Sequence, residues 1–154
     1  MCINLAGSDT TAVVLHALLL QLVIHPEIQR RAQAEIDSIV GSSDSPLFRL
    51  PNSEDRVHTP YINALLKEIL RWNPGTGTGV PHAVTQEDEY RGWRIPKGSI
   101  VVANAWGLLR EGNAYKDPHI FRPERFLGEN PEPDPSISGA FGFGRRKDTL
   151  FLKL

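Results

Sequence analysis

Two side chains of opposite charge, Glu68 and Arg71, stand three residues apart in the run Tyr61-Ile62-Asn63-Ala64-Leu65-Leu66-Lys67-Glu68-Ile69-Leu70-Arg71-Trp72. On a helix they are separated by about 60°, so their side chains can touch. With Leu65 set at zero, Tyr61 falls at roughly −40°, Trp72 at roughly −20° and Glu68 at roughly −60°. The carboxylate therefore borders the apolar arc, where it wants a partner that a planar guanidinium can supply bidentately. On an open solvent face the same pair would be an ordinary ion pair worth about 0.2–1 kcal/mol.

A second group of candidates lies at Ala6-Gly7-Ser8-Asp9-Thr10-Thr11, where an acid and an alcohol stand side by side behind a glycine that permits close backbone approach. Read without chemistry, this is an acidic turn at the start of a helix. A third is Gly142-Phe143-Gly144-Arg145-Arg146, whose glycines expose N–H groups and whose arginines add charge; it lacks the Lys-Ser/Thr ending of a Walker loop. The histidines at 16, 25, 58, 82 and 119 form no i, i+4 metal pair. The only cysteine, Cys2, excludes a disulfide within the chain and a multi-cysteine zinc or iron–sulfur site.

The elements that must position these groups are uneven along the chain. Six of the 25 glycines and prolines fall in residues 1–73, so the first half reads helical and the second reads as loops, turns and short strands. Residues 10–25 carry no formal charge. The run is too short for a membrane span and lacks the preceding positive charge of a secretory signal, so it reads as a helix buried on nearly every side. Such a helix needs more neighbours than two further helices supply. Pro26 then opens an amphipathic helix with a stripe of Ile28, Ala32, Ile36, Ile39 and Val40, closed by Gly41. Residues 42–58 read as a polar surface connection.

The Glu68/Arg71 helix starts with Thr59 as N-cap and Pro60 at its first position, and its buried arc is Tyr61, Ile62, Leu65, Leu66, Ile69 and Leu70. Farther on, Arg91–Ile95 and Ser99–Ala103, separated by Pro96-Lys97-Gly98, suggest a β-hairpin. Ala105–Arg110 fits a short helix, and five prolines between 118 and 135 forbid long regular structure beyond it. The fold class is mainly α with a small β-hairpin or sheet element. A net charge of −1, from 17 Lys and Arg against 18 Asp and Glu, provides no positive field for nucleic acid.

Taken in order, Ala6-Gly7-x-Asp9-Thr10-Thr11, Glu68-x-x-Arg71, Pro123-Glu124-Arg125-Phe126 and Phe141-Gly142-Phe143-Gly144-Arg145-Arg146 resemble the C-terminal part of a cytochrome P-450, a haem-thiolate monooxygenase, of the fungal microsomal type. Val80-Pro81-His82 and Tyr90–Gly98 resemble the same family. The resemblance implies haem as cofactor, a small organic substrate, a reductase as electron donor and the endoplasmic reticulum membrane as location. It implies that Asp9 and Thr10 lie over the distal face of the haem and organise protons for dioxygen. Glu68, Arg71 and Arg125 would form a buried structural triad behind the haem-binding loop. His82 and Arg146 would pair with haem propionates, with Phe141 and Gly144 as loop positions.

The family's loop runs Phe-x-x-Gly-x-Arg-x-Cys-x-Gly. Here Phe141, Gly144 and Arg146 match, but Asp148 stands at the cysteine position and Leu150 at the last glycine. A carboxylate is a hard donor and cannot replace the soft axial thiolate. The reading therefore expects residues 1–147 to be a partial domain, truncated at both ends and without the family's membrane anchor, and residues 148–154 to be an unrelated tail. It expects weak haem binding and no turnover by this chain alone. The alternative is a non-catalytic remnant that pairs its apolar helix with another protein or a membrane.

Overall fold

The computed structural model describes residues 2–143. Its helices are α1 (Cys2–Ile24), α2 (Pro26–Val40), α3 (Pro60–Trp72) and the short α4 (Ala105–Leu108). Single 3-10 turns cover Ser53–His58 and Pro123–Phe126, and a π-type turn covers Ser136–Ala140. Two antiparallel pairs of very short strands complete it: β1 (His82–Ala83) with β4 (Ile100–Val101), and β2 (Asp88–Tyr90) with β3 (Trp93–Ile95). The fold class is mainly α with small antiparallel sheets, as the sequence suggests.

α3 is the central element. One side packs Tyr61, Leu65 and Ile69 with Ile28 and Ala32 of α2 and with Phe121, and α1 adds Val14, Ala17, Leu18 and Leu22. The other side packs Ala64 against Leu109, Tyr115, Phe126 and Ala140. A helix between two apolar clusters can bury a charge only if it is paired, and α3 buries two, Glu68 and Arg71. Leu66, expected in the buried arc, is 42% exposed. The arc is rotated toward Ala64 and Glu68 because partners pack along that side.

Pro26 occupies the first turn of α2, and Gly41 ends that helix at φ 83. Thr59 stands at the N-cap position of α3, but its hydroxyl does not cap the helix; it donates to Arg56 O at 3.1 Å. The cap comes from α2 instead. Tyr61 N and Ile62 N donate to the two carboxylate oxygens of Glu35, each at 2.9 Å, so a negative group from a neighbouring helix satisfies the exposed amides. Ahead of α3, Asn52 and Asp55 form a capping box, and Arg49 grips Asp55 bidentately at 2.7 and 2.6 Å. The Arg49 hydrogen bonds, with help from Asn52 N, lower the Asp55 carboxyl to about 2.

Two expectations are corrected. The segment Trp93–Ile95 pairs with Asp88–Tyr90 across a two-residue turn, Arg91-Gly92, and not with Ile100–Val101. Arg91 and Gly92 have φ of 50 and 82, the paired positive values of a type I′ hairpin turn. Pro96-Lys97-Gly98 does turn the chain, but Gly98 N donates to Val84 O and Val84 N to Ser99 O, which delivers Ile100–Val101 to β1. The second correction concerns α1. It buries one side only; Leu15, Leu19, Leu20, Val23 and Ile24 are each more than half exposed. Its length and composition are helical, but the described residues supply partners for one face.

Candidate functional site

The buried charges of α3 tie it to the proline-rich segment. Arg71 donates to Glu68 through Nε (2.7 Å) and Nη2 (2.9 Å), and both side chains are fully buried. Arg125, from the second 3-10 turn, brings its Nε to 3.1 Å from Glu68 Oε2, an ion pair whose N–H points off the oxygen. Arg122 N donates to Glu68 Oε1 at 2.8 Å. The remaining donors reach across the fold: Arg71 Nη1 to Leu109 O and Pro118 O, and Arg125 to the carbonyls of Lys116, Asp117 and Ile120. Glu132 closes the charge count, accepting from Arg125 Nη1 at 2.6 Å. Two cations and two carboxylates thus neutralise one another while binding carbonyls of the proline-rich segment, which gives a stretch without regular structure a fixed path.

Arg110 lies against this network. It stacks on Trp106 at 4.0 Å and Trp72 at 5.5 Å and donates to Trp72 O. Burial, with the Arg71 cation second, lowers its pKa. Farther along, Asp134 accepts from Ser136 N (2.9 Å) and Oγ (2.6 Å) and pairs with Lys67 at 2.9 Å. This ties the turn over Ser136–Ala140, with Gly139 at φ 133, to α3. The chain then emerges at Phe141, facing α1.

Between them lies a cleft of about 700 Å³. Thr10 and Val14 of α1 form one side, Thr76, Val80 and His82 a second, and Ala140 and Phe141 a third. The volume falls in the range of small-molecule and cofactor sites, and the lining is apolar with a few convergent polar groups. Of the residues singled out in the sequence, the structure brings Thr10, His82 and Phe141 to this cleft, and Glu68, Arg71 and Arg125 together in a buried network that does not line it. Asp9 is exposed and outside the lining; its Oδ1 accepts from Ser8 Oγ at 3.3 Å. Gly144, Arg146 and Asp148 lie outside the described residues. Residues that sequence reasoning missed are Glu132 and Glu35, which sit in no periodic motif that could have flagged them, and Gly75, whose spacing with Gly77 and Gly79 was a readable signal.

A family model described as Cytochrome P450 matches residues 1–147, and the chain belongs to that family. Among its relatives, cytochrome P450 monooxygenase ple1 of Rhodocybe pseudopiperita is 45% identical over 148 residues, covering 94% of this chain and 27% of its own length. Cytochrome P450 monooxygenase claR of Ampulloclitocybe clavipes is 46% identical, over 91% of this chain and 26% of its own length. Cytochrome P450 monooxygenase aneD of Aspergillus aculeatus is 46% identical over 92% and 26%, respectively. The chain spans about a quarter of the length of these curated relatives.

Proteins of this family bind haem. The cleft fits the ring of such a group in volume and apolar lining. The donor set does not fit a thiolate axial ligand: the one cysteine in the sequence, Cys2, lies eight residues before Thr10 on the same helix, about 12 Å away along its axis. Among the described residues no single helix is long and apolar enough to cross a membrane.

Proposed function

We propose that residues 1–147 are a partial haem-monooxygenase domain, followed by an unrelated tail over 148–154, and that the chain does not catalyse oxygen insertion by itself. The cleft shared by Thr10, His82 and Phe141 carries this reading, because it offers one apolar space lined by an alcohol and an imidazole. Haem, held with a thiolate ligand, would supply the activation of dioxygen: with two electrons from a reductase and two protons, one oxygen atom would enter a small organic substrate and the other would leave as water.

In this reading the Thr10 hydroxyl would hold and pass a proton on the α1 side of the cleft, while Asp9, exposed and outside the lining, would act only by exchanging protons with solvent. His82, together with Arg146, would bind the cofactor's carboxylates, and Phe141 and Gly144 would belong to the loop that holds it. Glu68, Arg71 and Arg125 act structurally, holding the segment that leads to that loop. In the sequence, Asp148 stands where the family's motif has its cysteine, and a carboxylate oxygen would supply none of the electron donation of a thiolate. The expected result is weak haem uptake and, after reduction under carbon monoxide, no thiolate-type red-shifted absorption band. A clear band of that type would overturn the proposal of inactivity.

A second reading rests on α1. Its exposed run of Leu19, Leu20, Val23 and Ile24 favours a non-catalytic fragment that binds another polypeptide or a membrane surface. A monodisperse monomer that does not take up an apolar dye would count against it.

A further inference from the structure

Beyond α3 the chain passes Asn73 and Pro74 and runs back between α1 and α4, with glycine at 75, 77 and 79. Gly79 has φ +61 and needs glycine for its backbone alone. Gly75 is different: its φ is not in the left-handed region, so its conformation is open to any residue. What limits a side chain there is contact. A Cβ on Gly75 would stand 3.1 Å from Thr10 Cβ, 3.4 Å from Thr10 O and 3.5 Å from Thr10 Cα. The two backbone atoms are at ordinary van der Waals distance; only the Cβ contact is tighter than that, and because a Cβ is carried rigidly by the helix backbone no rotamer change relieves it.

The strap cannot retreat freely on its other side. Trp106 N donates to Gly77 O at 2.8 Å, and the Trp106 Cβ sits 3.4 Å from where a Cβ of Gly77 would be. Trp106 is in turn held by the Arg110 stack. The strap is thus pinned toward α4 and seated on α1 at Thr10, while its neighbour Thr76 lines the cleft.

We propose that Gly75 is a positioning residue for Thr10: by carrying no side chain it lets the strap seat against α1 and fixes the width of the cleft between Thr10 and Thr76. This rests on the reading of the cleft as a cofactor site given above. A methyl group at 75 forces the two walls apart by a few tenths of an ångström, and close-packed walls transmit such a shift to whatever they enclose.

The test is a double-mutant cycle on the full 154-residue chain, with haemin binding followed by absorbance titration. Gly75→Ala should weaken haemin binding at least tenfold, and the same change on a Thr10→Gly background, which removes the contacted Cβ, should weaken it less than twofold. Gly112→Ala, at a glycine with nothing within 4 Å, is the control and should change nothing. Equal losses on both backgrounds, or no loss on the Thr10 background, would overturn the proposal.

If the unaltered chain binds no haemin, the cofactor reading fails, and amide exchange over residues 10–14 of the haem-free chain decides the positioning role separately. Faster exchange in Gly75→Ala that disappears with Thr10→Gly supports it, and equal exchange on both backgrounds refutes it. If Gly75→Ala does not fold, recovery of the fold by Thr10→Gly supports the contact, and failure to recover overturns it.

Discussion

Replacing Glu68 by glutamine removes one charge and almost no volume, which makes it a clean probe of the buried network. The two carboxylate oxygens receive Arg71 Nε, Arg71 Nη2 and Arg122 N and lie 3.1 Å from Arg125 Nε. Every neighbour is a donor. A glutamine amide keeps one acceptor oxygen but turns its NH2 toward donors, so one half of the bidentate contact becomes repulsive. Charge-assisted hydrogen bonds contribute about 1.5–3 kcal/mol each, and breaking a fully buried pair by removing one partner costs about 3–5 kcal/mol, because the guanidinium groups stay buried without their counter-charge. Glu132 still neutralises part of Arg125, which places the expected loss at the lower end, about 3 kcal/mol. For a domain of this size that is a fall in Tm of about 6–12 °C. Urea unfolding followed by far-UV circular dichroism measures it. The exposed Arg31–Glu124 pair is the internal reference, and Glu124→Gln should cost about 0–1 kcal/mol. A Glu68→Gln loss no larger than that of Glu124→Gln would refute the argument that burial sets the magnitude.

Other outcomes follow from the same geometry. The Asp55 carboxyl is lowered to about 2 from an ordinary 3.8, so its contribution to stability is fully present above about pH 4 and disappears as the pH falls toward about 2. Acid titration of the chain against Asp55→Asn should show curves that differ above pH 4 and converge by pH 2; parallel curves would remove Asp55 as the cause. Gly139 has φ 133, and a Cβ there would meet Phe143 Cζ at 3.2 Å. Gly139→Ala should therefore cost about 1–3 kcal/mol in urea unfolding. Lysine at both Leu19 and Leu20, which are 60% and 56% exposed, should cut binding of an apolar fluorescent dye at least twofold with little change in unfolding midpoint, and unchanged dye binding would show that the exposed face of α1 is not what the dye reads.

What the sequence made legible were the elements with long periodicity. α2 and α3 follow their apolar stripes and their leading prolines, and the Glu68/Arg71 spacing pointed to a shared face. The strands were not legible, because segments of two or three residues carry no period, and both Arg91-Gly92 and Pro96-Lys97-Gly98 are turn signals; only tertiary pairing decides which strand each turn delivers to which partner. Leu66 and Glu68 invert the hydropathy expectation, since burial on α3 follows where Arg125, Leu109 and Tyr115 pack and not which residue is apolar. The uncharged run of α1 established a helix but could not say what covers it. Of the candidate site, Thr10, His82 and Phe141 were marked by motif, whereas the Gly75 approach to Thr10 emerges only when two segments 65 residues apart in sequence are seen in contact.

The carboxylate of Glu35 at the start of α3 does more than satisfy two amides. Ile28 and Ala32 against Tyr61, Leu65 and Ile69 form an apolar seam, whose hydrophobic attraction is non-directional and resists a slide only through its packing. The bidentate cap does not tolerate it. A shift of α2 by one residue carries the carboxylate about 1.5 Å along its axis and about 100° around it, away from Tyr61 N and Ile62 N. Glu35 therefore adds a directional constraint between the two helices, fixing by hydrogen bonds the one alignment that the apolar seam holds by packing.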